Sequence, residues 1–231
     1  MLTTTLRLLR EYHACKDRYR HLCKKLGGAG KYGYDTPIRF DDLLDMNGLD
    51  DTLWALRAVM PEQEEDRDFI ARMFAANCSE HVLPMYERKY PDKRVRLCIE
   101  ASKGFAHGRV TPEELDAAAA GAWDAARAAR ADDDVAAANA ANAATATATW
   151  TATRSATRAA AYAANAAVAA AGGAEKTWQA AYAANAAVAA MGSSELERRA
   201  NAEWDAAAAM WAAEQTWQAE LFRKMLKEKT P

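Results

Sequence analysis

Trp150, Arg154 and Arg158 fall at i, i+4 and i+8, which puts an indole and two guanidiniums on one face of a helix. Such a face can hold a phosphate or a nucleobase through bidentate hydrogen bonds and stacking. The two arginines are also the only charged residues between Asp134 and Glu175. They could equally form a solvated stripe that keeps an alanine-rich helix soluble. Tyr162 and Asn165 follow on the same segment, and Tyr182 and Asn185 repeat them 20 residues later. These seven residues are the candidate ligand contacts.

Other chemistry is sparse. Cys78 and His81, three apart on a helix, could offer two ligands to a metal, and His13, Cys15, His21 and Cys23 make a loose set, but no second pair has zinc-finger spacing. Small core cysteines and surface histidines explain them better. Gly27-Gly28-Ala29-Gly30-Lys31 resembles a phosphate loop, yet Tyr32 follows and no strand precedes it, so an interhelical turn fits better. Paired carboxylates such as Asp41-Asp42 and Asp50-Asp51 sit where helices begin, where the helix dipole favours them. The last histidine is His107 and the last cysteine Cys98, which leaves the C-terminal half without an obvious nucleophile or base. No cofactor is implied, and a non-enzymatic role is expected.

The elements that must position these residues are helices. Residues 6–26 carry Leu6, Leu9, Tyr12, Cys15, Tyr19, Leu22 and Leu26 at spacings of three and four, which predicts one amphipathic helix ending at Gly27-Gly28. Asp50-Asp51 opens a helix that Pro61 should end. A helix over 66–90, bending at Pro84, and one over 94–106 follow. Thr111-Pro112-Glu113-Glu114 is a strong start signal, a threonine cap with proline at the first position and glutamate three residues after the cap. Beyond it, 48 of the 97 residues from 117 to 213 are alanine, a fraction foreign to ordinary domains. Alanine favours helix and lets helices approach closely. Residues 160–170 recur unchanged at 180–190. Helices are expected near 113–130, 135–171, 174–191 and 195–228. Thr145, Thr147, Thr149, Thr151 and Thr153 alternate with the period of a strand. Helix is still expected there, because a lone strand lacks a partner. Most of the tryptophans should be spacers between alanine helices, with one or two exposed indoles marking a binding surface.

The chain is therefore expected to be all-α, a multi-helix domain with a C-terminal stack of closely packed alanine-rich helices. Residues 1–110 form an N-terminal helical region and 111–231 the alanine-rich repeat region of one continuous globule. Four widely spaced cysteines and the lack of a signal-like N-terminus point to the cytoplasm. The longest uncharged run, the 19 residues 135–153, is mostly alanine, threonine and asparagine and too weakly apolar for a membrane span. Net charge is −2, unsuited to a generic polyanion binder. It is uneven: residues 1–31 hold eight Lys/Arg against two acids, and 32–68 hold eleven acids against three arginines. The two segments either complement each other or steer a partner.

The run Asn-Gly-Leu-Asp-Asp-Thr-Leu-Trp-Ala-Leu-Arg-Ala-Val at 47–59 resembles the immunity-protein-five-like family of bacteria and phages. Residues 73–84, Tyr90-Pro91-Asp92, 99–115 and 218–226 fit in the same order, so the resemblance runs from about residue 40 to the end. It implies a protein that neutralises a toxin or defence effector by direct binding. Anti-defence action, including anti-CRISPR activity, is one version, with the acidic stretch 35–68 imitating nucleic acid. No catalytic residue is carried over with it. The alternative is a sponge for a small anionic nucleotide signal, built on Arg154, Arg158 and the neighbouring aromatics. Alanine faces could pack within the chain or across a homodimer.

Overall fold

The computed structural model describes residues 1–132, 134–152, 167 and 194–228, with the side chains of 150–152 and 194–207 excepted. Helix dominates, as expected. A ribbon of two residues a side is the only sheet among the described residues: β1 (Thr3–Thr4) runs antiparallel to β2 (Ile38–Arg39), with Thr3 opposite Arg39 and Thr4 opposite Ile38. Gln63 Oε1 accepts from the Thr3 amide at 2.8 Å and Thr3 O from the Met60 amide at 3.0 Å, so the ribbon ties three distant segments together.

The single helix expected over 6–26 is two. α1 (Leu6–Glu11) starts on Thr5, whose hydroxyl accepts from the Leu8 amide. It ends because His13 turns to φ 62°. The His13 amide then reaches Arg10 O at 3.0 Å and the Ala14 amide reaches Leu9 O at 2.9 Å, the paired bonds of a Schellman stop. The apolar spacing ran across this break unchanged, because a histidine rather than a glycine takes the left-handed position. α2 (Lys16–Lys25) ends on the same pair of bonds, now with Gly27 at φ 81°. A β-carbon in the left-handed region is strained. His13→Gly is therefore expected to raise stability by about 0.5–1 kcal/mol, read as a higher denaturant midpoint at unchanged slope.

The glycine-rich stretch is the short helix α3 (Ala29–Tyr32), entered from α2 rather than from a strand. α4 (Phe40–Asn47) and α5 (Leu49–Ala55) meet at Gly48, whose φ of 81° lets one helix end and the next begin on a single residue. Pro61 does not end α5. That helix tightens into a 3-10 turn at Leu56–Ala58 and stops where Val59 becomes extended, and Pro61 instead opens the turn Pro61–Gln63. Proline suits a first helical position because its missing donor would have no acceptor there.

α6 (Glu64–Glu87), α7 (Arg94–Ala106), α8 (Pro112–Ala131) and α9 (Val135–Ala152) form the body. α6 packs on α7 and α9, and α8 closes the ring against the same two. Helices from either side of residue 110 thus share one core. The Thr111 capping box is formed, with the hydroxyl 3.2 Å from the Glu114 amide and the Glu114 carboxylate 2.8 Å from the Thr111 amide. On α9, Ala137, Ala138, Ala140, Ala141, Ala143, Ala144 and Ala148 are buried, so its backbone lies close to α6, α7 and α8. The threonine alternation is helical as far as Ala152: the hydroxyls of Thr145 and Thr147 bond back to Ala141 O and Ala143 O at 3.0 and 2.9 Å. Thr147 Oγ1 also meets Ser79 Oγ at 2.9 Å inside the α6–α9 contact.

The last element, α10 (Ser194–Glu228), straps the N-terminal helices to this body, touching α4, α5 and α6. Phe222 is fully buried against Phe74 of α6, with rings 5.2 Å apart at 78°, and Arg223 pairs with Asp45 of α4 at 2.5 Å. No helix among the described residues is long and apolar enough to cross a membrane.

Candidate functional site

The elbow that His13 makes between α1 and α2 leaves a cleft against α4 and α5. Its inner part is a cavity of about 280 Å³ walled by Leu9, Leu22, Leu43 and Ala55, with the rings of Tyr19 and Trp54. Four polar residues also line it. Arg18 Nε bonds the Asp51 carboxylate at 3.0 Å, and the Asn47 amide donates to Asp51 Oδ2 at 2.7 Å and to Arg18 O at 3.2 Å. The Asp51 contact holds the Arg18 guanidinium above its ordinary range. Asp50 makes no ion pair among the described residues. Asn47 Oδ1 is buried and accepts no hydrogen bond, a costly state for a carbonyl oxygen.

Ala14, Cys15 and Tyr19 also border a second, outer cavity of about 640 Å³. Arg10, His13, Lys16, Arg20 and Tyr34 complete it. Arg10 and Lys16 have no acidic partner among the described residues, and Arg20 has only Asp17 of its own helix, in an exposed pair. Tyr34, one of the lining residues, is 44% exposed, and Tyr12, next to His13 in the chain, is 47% exposed, large values for aromatic side chains.

The charge asymmetry of the first 68 residues is partly internal. Arg7 grips Asp35 and Arg18 grips Asp51, so the basic segment does complement the acidic one. Within the acidic stretch Asp41 pairs with Arg39, Asp45 with Arg223, and Asp68 with Arg67 and Arg72. Most of those carboxylates are neutralised at short range. A surface that imitates a phosphate backbone needs them free, so this stretch fits nucleic-acid mimicry poorly.

A second polar cluster lies between α6 and α10: it contains the Cys78 and His81 pair that spacing singled out, with partners on α10 that spacing did not indicate. His81 stacks on Trp217 with centroids 3.7 Å apart, and its Nε2 lies 3.1 Å from Oε2 of Glu214. Glu214 is buried and accepts from Gln218 Nε2 at 2.9 Å. Cys78 is also buried there, and desolvation, helped by the Glu214 charge, pushes its thiol well up. Burial pushes Cys98 up to about 12. Neither sulfur is a ready nucleophile or metal ligand, since both jobs need the thiolate. Among the described residues no group of three His, Cys, Asp or Glu is placed to hold a metal. The cluster reads as a strap contact for α10.

Of the candidate ligand contacts read from the sequence, Trp150 lies on α9 with its side chain outside the description. Arg154, Arg158, Tyr162, Asn165, Tyr182 and Asn185 lie outside the described residues, as does the expected helix over 174–191. Among the tryptophans of the alanine-rich half with described side chains, Trp217 packs against the core, whereas Trp123 and Trp211 are 52% and 42% exposed. Trp123 borders a shallow depression with Thr145 and Thr149, where Asp116 is the one charged residue. The N-terminal cleft has more to offer a ligand: a cavity, unmatched cations and the exposed ring of Tyr34. The signal that could have found it was the basic first helix, but not the elbow in it.

Comparison with protein families matches residues 62–186 to the family described as Imm-5 like putative immunity protein. The match contains α6 to α9, and the run at 47–59 precedes it. Comparison with curated proteins and with solved structures returned no match.

Proposed function

Since the chain belongs to the Imm-5 like family of immunity proteins, we propose that it neutralises a protein toxin or defence effector by binding it directly, without catalysis. The matched helices α6 to α9 serve as scaffold, and the N-terminal cleft, outside the matched span, is the recognition face. The observation that carries this reading is the juxtaposition of the cavity with Arg10, Lys16 and Arg20 and the exposed ring of Tyr34. Aromatic and arginine side chains around a pocket are the usual energetic centre of a protein interface. Unmatched cations steer an acidic partner and set the rate of encounter. The four cysteines are free, in keeping with action in a reducing cytoplasm. The nucleotide-sponge alternative rests on Arg154 and Arg158, for which no geometry is described.

Growth rescue tests the proposal. Each effector gene encoded beside this chain is expressed with it in a sensitive host, and one is expected to become harmless through a stable complex. Arg10→Glu with Lys16→Glu is expected to weaken that complex by about a hundredfold or more, because reversal sets like charges against the partner. Rescue without a complex, or no rescue from any neighbouring effector, contradicts the proposal.

A further inference from the structure

We propose that the inner cavity between α2, α4 and α5 receives one tryptophan side chain of the partner protein, carried on an acidic segment whose carboxylates lie against Arg10, Lys16 and Arg20. The inference rests on the binding role proposed above and names what the cleft takes.

Three features select the occupant. The wall is mostly apolar and includes the rings of Tyr19 and Trp54, which suits a flat aromatic body. A volume of about 280 Å³ fits one large side chain rather than a drug-sized ligand. The acceptor the cavity wall presents is the exposed Asp50 carboxylate, which has no cation paired with it among the described residues. The one strong donor in the wall, Arg18, is already engaged by Asp51 and by Asn47 O. The occupant must therefore bring an N–H or O–H on an apolar frame.

Charge separates a neutral donor from a cation. Asp50 and Asp51 against Arg18 leave the inner wall one negative charge, but the adjoining outer cavity presents Arg10, Lys16 and Arg20. A lysine or arginine entering past that shelf would meet repulsion, whereas an indole N–H would not. The shelf in turn calls for carboxylates next to the indole in the partner's sequence. Ala14 and Cys15, at the elbow, border both cavities, so anchor and shelf are adjoining parts of one surface.

The test uses the full-length protein and a capped peptide of sequence Asp-Glu-Trp-Glu-Asp, titrated by calorimetry. Alanine in place of the tryptophan is expected to weaken binding by about tenfold or more, the loss typical of a truncated anchor. Lysines in place of the acids are expected to weaken it at least as much, by a factor that shrinks as salt is added. Ala14→Phe, at the border of both cavities, is expected to abolish binding of the tryptophan peptide while the circular dichroism and melting temperature stay unchanged. Should Ala14→Phe unfold the protein, Arg10→Glu with Lys16→Glu, both on the surface, serves instead, with weaker binding of the acidic peptide expected. Equal binding of the tryptophan and alanine peptides, tighter binding of the lysine peptide, or no binding at millimolar peptide overturns the inference. The effector complex is measured separately, so it can stand while the tryptophan anchor falls.

Discussion

Phe222→Ala is expected to lower the unfolding free energy by about 3–5 kcal/mol, a large part of the roughly 5–15 kcal/mol that holds a domain together. The ring is fully buried and meets Phe74 edge to face at 5.2 Å. Its removal leaves a cavity between α10 and α6 that neighbouring Met225 and Leu226 can only partly fill. The loss should be felt beyond the core. α10 also holds α4 through Arg223 and Asp45, an exposed pair too weak to keep the strap docked by itself. Faster amide exchange in α4 and α5 should therefore accompany the fall in denaturant midpoint, with the body helices least affected. A midpoint shifted by less than 1 kcal/mol, or exchange confined to α10, contradicts the strap.

Ala144→Leu should be nearly as damaging, about 3 kcal/mol, although it adds apolar atoms. Ala144 is fully buried among neighbouring helices, and its carbonyl oxygen accepts from the Cys98 thiol of α7 at 3.4 Å. A face of seven buried alanines brings the helices close enough for a short side chain of one to bond the backbone of the next, as Thr147 Oγ1 does to Ala75 O at 3.3 Å. Three further carbons there force α9 away from α7 and break such contacts. Ala128→Leu, on the exposed side of α8, is the control and is expected to change stability by less than about 0.5 kcal/mol. Similar midpoints for the two variants contradict close packing as the purpose of the alanines.

Local signals were legible where chemistry and geometry are local. The cap at Thr111, the stop at Gly27 and the span of α7 follow from residues within one turn of each other, and the structure has them as read. The threonine alternation is helical as far as Ala152, where back-bonding to the preceding turn gives the Thr145 and Thr147 hydroxyls partners without a strand. His13 escaped notice since its neighbours keep helical spacing on both sides of the break, and nothing but its φ reveals the turn. Pro61 was placed at the end of a helix when it opens the next turn; the same missing donor suits either role. The cleft joins Arg10 to Trp54, and the α10 strap joins His81 to Glu214 and Trp217, separations that no periodicity encodes. The contacts proposed at residues 150–185 came from an Arg/Trp face whose side chains lie outside the description, and the site found instead is built from the charge asymmetry of the first helices.

Hydrogen exchange of the protein alone and in complex with its effector tests the binding face most directly. Slowed exchange is predicted in residues 10–20 and 47–55, the two walls of the cleft, with α8 unchanged. Slowed exchange around Trp123 with the cleft unaffected would contradict the account.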